Sequence, residues 1–305
     1  MPGLLFLAVA LSGITAGPAL RTKGYFAFQR QWAAHWAPER GKGLPQSIQP
    51  FFKPFTPVWV QVEPKIKMLL DPDDYVSRTI LEKGVFEPDS WAAIQEHLGA
   101  GATFIDIGAH IGYYSLKAAA TVGPAGHVIA IEPNPETIDK LRGNIQASGA
   151  NMVTVEPVAC SDSEATLELF AAPRANTGES SLSLTNASQL NQPVTSYHVR
   201  ARPLDSIVGE TGLARVDAVK IDVEGAEFLV LKGAQETLAR FHPVVLVEIV
   251  EHQLQAMGTS AKEVAGFFSS HGYSARRSIG DNVEFVPDAA PAGIGQRAGL
   301  VSVRK

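Results

Sequence analysis

With one cysteine in 305 residues, Cys160, the chain can form no intrachain disulfide and has no thiolate cluster for zinc. Cys160 reads as a small buried apolar residue. A basic excess is also missing: 26 Lys and Arg stand against 31 Asp and Glu, a formal charge of −5. No sustained Lys/Arg stripe offsets this balance, so no nucleic-acid partner is expected. Long apolar runs are scarce. Leu4 to Ala16 is too short to span a bilayer as a helix, and no Lys or Arg precedes it as in a signal peptide. There is no internal repeat and no long low-complexity segment. The dinucleotide fingerprint G-x-G-x-x-G is absent; Asp106 to Gly112 reads D-I-G-A-H-I-G instead.

Against these absences stands an ordinary globular balance, 45% hydrophobic and 19% charged, in a length that suits one large domain or two modest ones. Residues 1–64 form an apolar segment, a basic arm and a Pro-rich linker (Pro38 to Pro64). Through residue 60, six Lys/Arg face only Glu39, which leaves the arm at +5 and the remainder at −10. Residues 4–16 suit a degenerate signal, a membrane-surface anchor or a packed helix. The arm's Phe26, Phe28, Trp32 and Trp36 suit an anionic membrane surface. An arm lying across its own acidic domain accounts for the same charge. The expected location is cytoplasmic, with membrane association through the arm left open.

From residue 65 to 305 the chain reads as one domain in which strands and helices alternate. Strands are expected at Thr103–Ile107, His127–Ile131, Met152–Val158, Val216–Ile221 and Val244–Ile249. Helices are expected at Tyr113–Val122, Pro135–Ser148, Gly225–Arg240 and Ala261–Ser270. Asn134 suits an N-cap, Pro135 the first helical position and Gly149 the exit. Closing strands would come from YSARRSI, DNVEFV and LVSVRK. Such alternation implies a mostly parallel, doubly wound sheet with both faces covered. A polar insertion, residues 163–215, interrupts the rhythm with strands near Thr166–Phe170 and Tyr197–Pro203. Between them runs RANTGESSLSLTNASQLNQ, which would project from the strands' C-terminal edge, where such sheets bind ligands.

Three strands deliver acids near their C-terminal ends: Asp106, Glu132 and Asp162. Glu132 follows an apolar strand and suits a ribose diol, which donates two hydrogen bonds. Asp106 and Gly108 would hold a cationic or amino-bearing part of the ligand, and Asp162 an adenine edge. Without the phosphate-cradling glycines, the pattern fits a nucleoside cofactor that carries no pyrophosphate.

Asp106–Ser115 (DIGAHIGYYS), Glu132–Pro135 (EPNP), Ser161-Asp162, Leu204–Ile207 (LDSI) and Lys220–Glu227 (KIDVEGAE) together resemble the FkbM family of S-adenosylmethionine-dependent methyltransferases. Leu231–Ala234 (LKGA) and Val247–Ile249 (VEI) continue the match over roughly residues 70–250. The resemblance implies the class I methyltransferase Rossmann-like sheet of seven strands, the last one antiparallel. It also implies S-adenosyl-L-methionine as cofactor and O-methylation of sugar or metabolite hydroxyls. The matched blocks give the cofactor-binding candidates Asp106, Gly108, His110, Gly112, Tyr113, Glu132, Asn134, Ser161 and Asp162. His110 departs from the Asn common in the family. Tyr113 and Tyr114 either pack or present a ring face to the sulfonium. NTGESSL resembles a segment near the family's acceptor site, which makes Asn176, Ser180 and Ser181 acceptor-binding candidates; a solvated loop is the alternative. Asn186-Ala187-Ser188 also fits a glycosylation sequon.

Methyl transfer from a sulfonium is a direct displacement that needs alignment and a base for the acceptor proton, but no enzyme nucleophile. Candidate bases are Asp222 and Glu224 after the fourth strand, then Glu248 and His252. Asp222 is best placed, beside the first strand. Glu224 and Glu227 also suit a helix start through its dipole, Asp222 suits a cap, and His252 suits a structural histidine. A metal held by Asp222, Glu224 or Glu248 is an alternative way to acidify the hydroxyl, but the spacing matches no metal motif and none is assigned. Two rival functions remain. One is a Rossmann-type NAD(P)-dependent oxidoreductase, which lacks its glycine pattern and a Tyr-x-x-x-Lys pair. The other is a catalytically silent nucleoside- or glycan-binding module. The partner expected is a small-molecule or glycan hydroxyl acceptor; oligomeric state is not readable.

Overall fold

A computed structural model of the chain describes residues 57–172, 174–188 and 194–288. The apolar segment 4–16, the basic arm, most of the Pro-rich stretch and the LVSVRK tail lie outside the described residues. The last residues of the Pro-rich stretch form a strand. β1 (Val58–Glu63, VWVQVE) alternates half-buried valines with exposed Trp59 and Gln61 and pairs antiparallel with β2 (Ile66–Leu70). The hairpin is followed by α1 (Tyr75–Lys83) and α2 (Pro88–Gln95).

β3 (Thr103–Ile107) is buried at every position, and it leads into α3 (Tyr113–Val122), β4 (His127–Ile131) and α4 (Pro135–Ser148). All four match the expected bounds, because each carries its own start and stop chemistry. Asn134 accepts from the Glu136 N–H, Pro135 opens α4, and Gly149 closes it in the left-handed region. Hydrogen bonds from Lys67 N–H to Ser148 Oγ (3.0 Å) and from Leu69 N–H to Asn144 Oδ1 (2.7 Å) fasten the hairpin to α4.

The third expected strand, Met152–Val158, is shorter than expected, and a further strand follows it. β5 (Val153–Glu156) stays in the main sheet, whereas β6 (Ala159–Cys160) joins a second, three-stranded sheet. That small sheet is completed by β7 (Ala165–Ala171) and β8 (Thr195–Arg202), the two strands of the insertion, which pair antiparallel. Between them lie a 3-10 segment, Arg174–Glu179, and the short helix α5 (Leu184–Ala187). The chain returns through α6 (Leu204–Thr211) to β9 (Ala218–Ile221).

The helix expected over Gly225–Arg240 is two helices, α7 (Glu227–Lys232) and α8 (Gln235–Phe241). Gly233 sits at the break, where a Cβ would lie 2.0 Å from the Ser161 carbonyl oxygen. The Asp205 carboxylate caps α8 by accepting from Glu236 N–H (3.0 Å) and Thr237 N–H (2.7 Å), and Asp205 N–H donates to Gly233 O (2.9 Å). The LDSI and LKGA blocks therefore meet as a structural joint. β10 (Val244–Glu248), α9 (Glu251–Ala256), α10 (Ala261–Ser270), β11 (Tyr273–Ile279) and β12 (Asn282–Pro287) complete the described chain.

The main sheet has the order β11-β12-β10-β9-β3-β4-β5. Neighbours from β10 to β5 are parallel, and β12 runs antiparallel to both β10 and β11. This is the class I methyltransferase arrangement, with the last strand reversed and inserted beside the fifth. Strand alternation divides the core between the two faces. Ile105, Ile107, Ile129, Ile131, Val219 and Val245 face one layer, and Phe104, Val128, Ala218 and Leu246 face the other. Chain direction across the sheet switches between β3 and β9, the point at which a crevice opens beyond the strand ends.

Candidate active site

A cavity of about 540 Å³ opens there, lined by residues that follow β3, β4, β9 and β10 and covered by part of the insertion. Its size is within the usual range for small-molecule sites, roughly 300–1,000 Å³. Gly108 makes the junction of β3 and β9 possible. Its φ is +84°, and a Cβ there would lie 1.8 Å from the backbone oxygen of Asp222. This glycine is thus required by the neighbouring strand's backbone, before any ligand is considered.

Glu132 occupies the end of the cavity beyond β4. Its Oε2 accepts from His110 N–H (2.8 Å) and its Oε1 from Asn134 N–H (2.9 Å). Burial pushes its pKa up to about 7 against the pull of these two donors. His110 adopts a left-handed backbone, φ +49°, which turns its N–H onto Glu132. The histidine ring reaches the insertion, with Nε2 2.7 Å from Thr177 Oγ1. Thr177 donates its hydroxyl (2.9 Å) and its N–H (3.2 Å) to Asp74 Oδ1, while Asp74 Oδ2 caps α1 through Ser77 N–H (2.9 Å). With the threonine hydrogen committed to Asp74, Nε2 of His110 is the donor. Burial lowers the His110 pKa, and the nearby Asp74 opposes that effect. Asn134 Nδ2 donates to Ser180 Oγ (3.1 Å), a second link between this end and the insertion.

The other end is crowded with carboxylates. Oxygens of Asp222, Glu224 and Glu248 lie within 4.8 Å of one another, a group able to hold a metal ion. Lys220 donates to Asp222 Oδ2 (2.6 Å) and stands 4.8 Å from the centroid of the Tyr114 ring. Burial alone would lower the Lys220 pKa, but the carboxylates of Asp222, Asp106 and Glu87 raise it further, so the ammonium stays charged. Glu224 has φ +54°, a conformation uncommon outside glycine. Its carbonyl accepts from Ser181 Oγ (2.7 Å) and Asn186 Nδ2 (2.9 Å), which fastens the insertion to this end too. Burial, with the Asp222 charge beside it, pushes the carboxyl pKa of both Glu224 and Glu248 far up. Glu96, His97 and Glu284 form a second group of metal-binding types. There Glu284 already receives His97, Arg276 and Arg277, which makes an ion-pair network.

A family model described as the methyltransferase FkbM domain matches residues 106–275, more than half of the chain. The chain belongs to the FkbM methyltransferase family. Its hexuronic acid methyltransferase relative AglP from Haloferax volcanii is 28% identical over 144 residues, which cover 47% of this chain and 54% of AglP. Methyltransferase sdnD from Sordaria araneosa is 26% identical over 218 residues, 63% of this chain and 80% of sdnD. The AMB antimetabolite synthetase AmbE from Pseudomonas aeruginosa is 26% identical over 235 residues, 67% of this chain but 11% of AmbE. This chain therefore spans about half of AglP and a small part of AmbE. Among solved structures, the methyltransferase FkbM from Methylobacillus flagellatus KT aligns at a TM-score of 0.42 and 16% identity, over 69% of this chain and 52% of that one. The family is one of S-adenosylmethionine-dependent methyltransferases.

For an FkbM methyltransferase the cavity's residues fit an adenosyl cofactor. Glu132 offers a buried carboxylate at a strand end, and no phosphate-binding glycine run is present. Of the residues singled out from sequence, Gly108, His110, Tyr113, Glu132, Asn176, Ser180, Asp222, Glu224 and His252 line the cavity together. Gly112 caps α3 and Asn134 caps α4. Asp106 is buried below the cavity, where it accepts from Ser115 Oγ (2.6 Å) and leaves Oδ1 without a partner. Burial raises its pKa, and Lys220 pulls the other way. Ser161 meets Gly233, and Ser181 ties the insertion to Glu224. Asp162 lies off the cavity wall, paired with Lys232 at 2.7 Å on the surface. Cys160 is buried in the cavity wall, and burial pushes its thiol up to about 12.

Sequence reading passed over Thr177, Asp74 and Glu87, and it treated Asn186 only as a sequon and Lys220 only as part of a motif. Lys220 carried a signal, since a lysine inside a buried apolar strand needs a carboxylate partner. Asp74 and Thr177 carried none, because 103 residues separate them. No described helix is long and apolar enough to cross a membrane.

Proposed function

We propose that this FkbM methyltransferase transfers a methyl group to a hydroxyl of a sugar, glycan or small metabolite. The observation that supports this most directly is one cavity joining Glu132 to Asp222, Glu224 and His252 under a polar cover from the insertion. When bound, S-adenosylmethionine would supply the electrophilic methyl group. Glu132 would accept from the ribose diol, replacing the water it loses on burial. Asp106, Gly108, His110, Gly112, Tyr113, Asn134 and Ser161 remain the wider cofactor set, whose cavity-lining members would make direct contacts; Asp162, on Lys232 off the cavity wall, would not.

At the other end, Asp222 would take the acceptor proton, with Lys220 holding the carboxylate in place; Glu224 and His252 are the neighbouring alternates. Asn176 and Ser180 would orient the acceptor, with Ser181 fixing the loop that carries them. The name of AglP, a hexuronic acid methyltransferase, supports a sugar acceptor. The arm's contact with a membrane surface is part of the same proposal, since a glycan acceptor carried on a lipid would lie there. The test is calorimetric titration with S-adenosylmethionine, S-adenosylhomocysteine and NAD, followed by isotopic methyl transfer to a panel of sugars and phenols. Binding of the adenosyl pair but not NAD, with label on oxygen, is the expected result. Label on nitrogen or carbon would overturn the O-methylation reading.

A further inference from the structure

The acidic end of the cavity holds more negative charge than its neighbours neutralise. Of Asp222, Glu224 and Glu248, only Asp222 has a cation on it among the described residues, the ammonium of Lys220. Gln253 Nε2 donates to Glu224 Oε2 (2.5 Å), a neutral partner. Glu248 Oε2 is fully buried with no hydrogen-bond partner among the described residues. An ionised carboxylate left in this state is costly, and burial pressing both glutamates toward the neutral acid expresses the same deficit.

An independent observation comes from Asn186, which lines the same cavity and is only 4% exposed. Its Nδ2 donates to the carbonyls of Glu224 (2.9 Å) and Gln253 (3.2 Å). Two carbonyl acceptors on one amide atom identify that atom as the nitrogen, so the other is the oxygen. That oxygen, Oδ1, is buried and has no partner among the described residues. A deeply buried acceptor therefore stands unused on a side chain that lines the same cavity as the three acids. The strained backbone of Glu224 is held by the same asparagine.

We propose that Asp222, Glu224, Glu248 and Asn186 form a site for a divalent, oxygen-coordinated cation such as Mg²⁺ or Mn²⁺ at the acceptor end of the cavity. Carboxylate and amide oxygens are the ligands that such hard cations take. Two positive charges would offset the two carboxylates that Lys220 does not hydrogen-bond, whereas a single ammonium would leave one uncompensated. The ion's use rests on the methyl-transfer reading: it would lower the pKa of the acceptor hydroxyl and reduce what Asp222 must do as base. Its binding does not rest on that reading.

The test is titration of the purified full-length chain with Mn²⁺, read by calorimetry and by the electron paramagnetic resonance signal of free Mn²⁺, with Mg²⁺ as competitor. One Mn²⁺ per chain, displaced by Mg²⁺, is expected. Glu248→Gln should weaken binding at least about tenfold. This variant keeps the side chain's shape and replaces an oxygen, Oε2, that accepts no hydrogen bond from the described residues, so the fold should be retained. Asn186→Ala is the second variant, with a smaller loss expected. S-adenosylhomocysteine is titrated in parallel with each protein. Retained nucleoside binding with no Mn²⁺ uptake, or with uptake unchanged in both variants, overturns the cation site and leaves the methyltransferase reading standing. Loss of nucleoside binding by the unmodified chain, with Mn²⁺ uptake intact, overturns the cofactor placement and supports the cation site.

Discussion

Glu132, buried beyond β4, and Glu248, half-buried at the end of β10, both stand at strand ends of one sheet, yet their surroundings differ in kind. Glu132 accepts two backbone N–H groups, and its pKa rises only to about 7. Glu248 has an oxygen with no donor and two carboxylates beside it, and it is driven much further toward the neutral acid. Backbone donors come with the local turn, so they are present whether or not a ligand is bound. The second glutamate depends on something the described residues do not supply. One end of the cavity is pre-organised by the chain itself, and the proposed cation would complete the other.

The largest expected effect breaks the first half of that contrast. Glu132→Ala should weaken S-adenosylhomocysteine binding about 100-fold or more, since it removes two charge-assisted hydrogen bonds of roughly 1.5–3 kcal/mol each. Calorimetry reads this directly, and unchanged affinity would remove Glu132 from the ribose role. Asp222→Asn should act on the other half only. Turnover should fall by about 10²–10⁴ while nucleoside affinity stays near normal; full turnover would take Asp222 out of contention as the base.

Protonation gives a third way to separate the ends. Glu132 has an unfolded value of 4.5 and a folded value of about 7. A raised acid favours the fold most below 4.5, and that contribution is lost as the pH climbs through about 7. Nucleoside binding has the opposite sign, because a ribose diol donates to the ionised carboxylate. Affinity should therefore drop by up to about tenfold per pH unit below about 7, and Glu132→Gln should flatten the profile. An unmodified chain with a flat profile would contradict this assignment.

Smaller effects test the insertion and the surface. Thr177→Val cuts the link from His110 to Asp74 and should raise the KM for the methyl donor about fivefold to tenfold, as expected for one hydrogen bond of about 1 kcal/mol, with little change in kcat. Asp162→Ala should be nearly silent in nucleoside titration, within about twofold, because its partner is an exposed lysine. A large loss there would return Asp162 to the cofactor site.

Much of the fold was legible because each element carries local instructions. The bounds of β3, α3, β4 and α4 follow from buried β-branched runs, an Asn-Pro start and a Gly exit. The reading failed where contacts between distant segments overrode local preference. An apolar helical face runs through Gly233, yet the helix breaks there because the Ser161 backbone occupies the space of a side chain. The strand expected over Met152–Val158 stops at Glu156, and just beyond it Ala159 and Cys160 pair instead with Ala201 and Arg202 of β8. Gly108 was legible as a special position but not for its reason, which is the backbone of Asp222.

Periodicity, caps and the D-x-G-x-x-x-G and IDVEG blocks were enough to state the sheet, the family and the acid at the end of β4. They work at short range, where a few neighbouring residues set backbone angles and the buried face. Which acids share a cavity, which of them are satisfied, and what holds the insertion over them came only from packing. Asp74 with Thr177, and Asn186 with Glu224, are joined by the folded chain across long sequence separations, and no local pattern encodes a hydrogen bond of that kind.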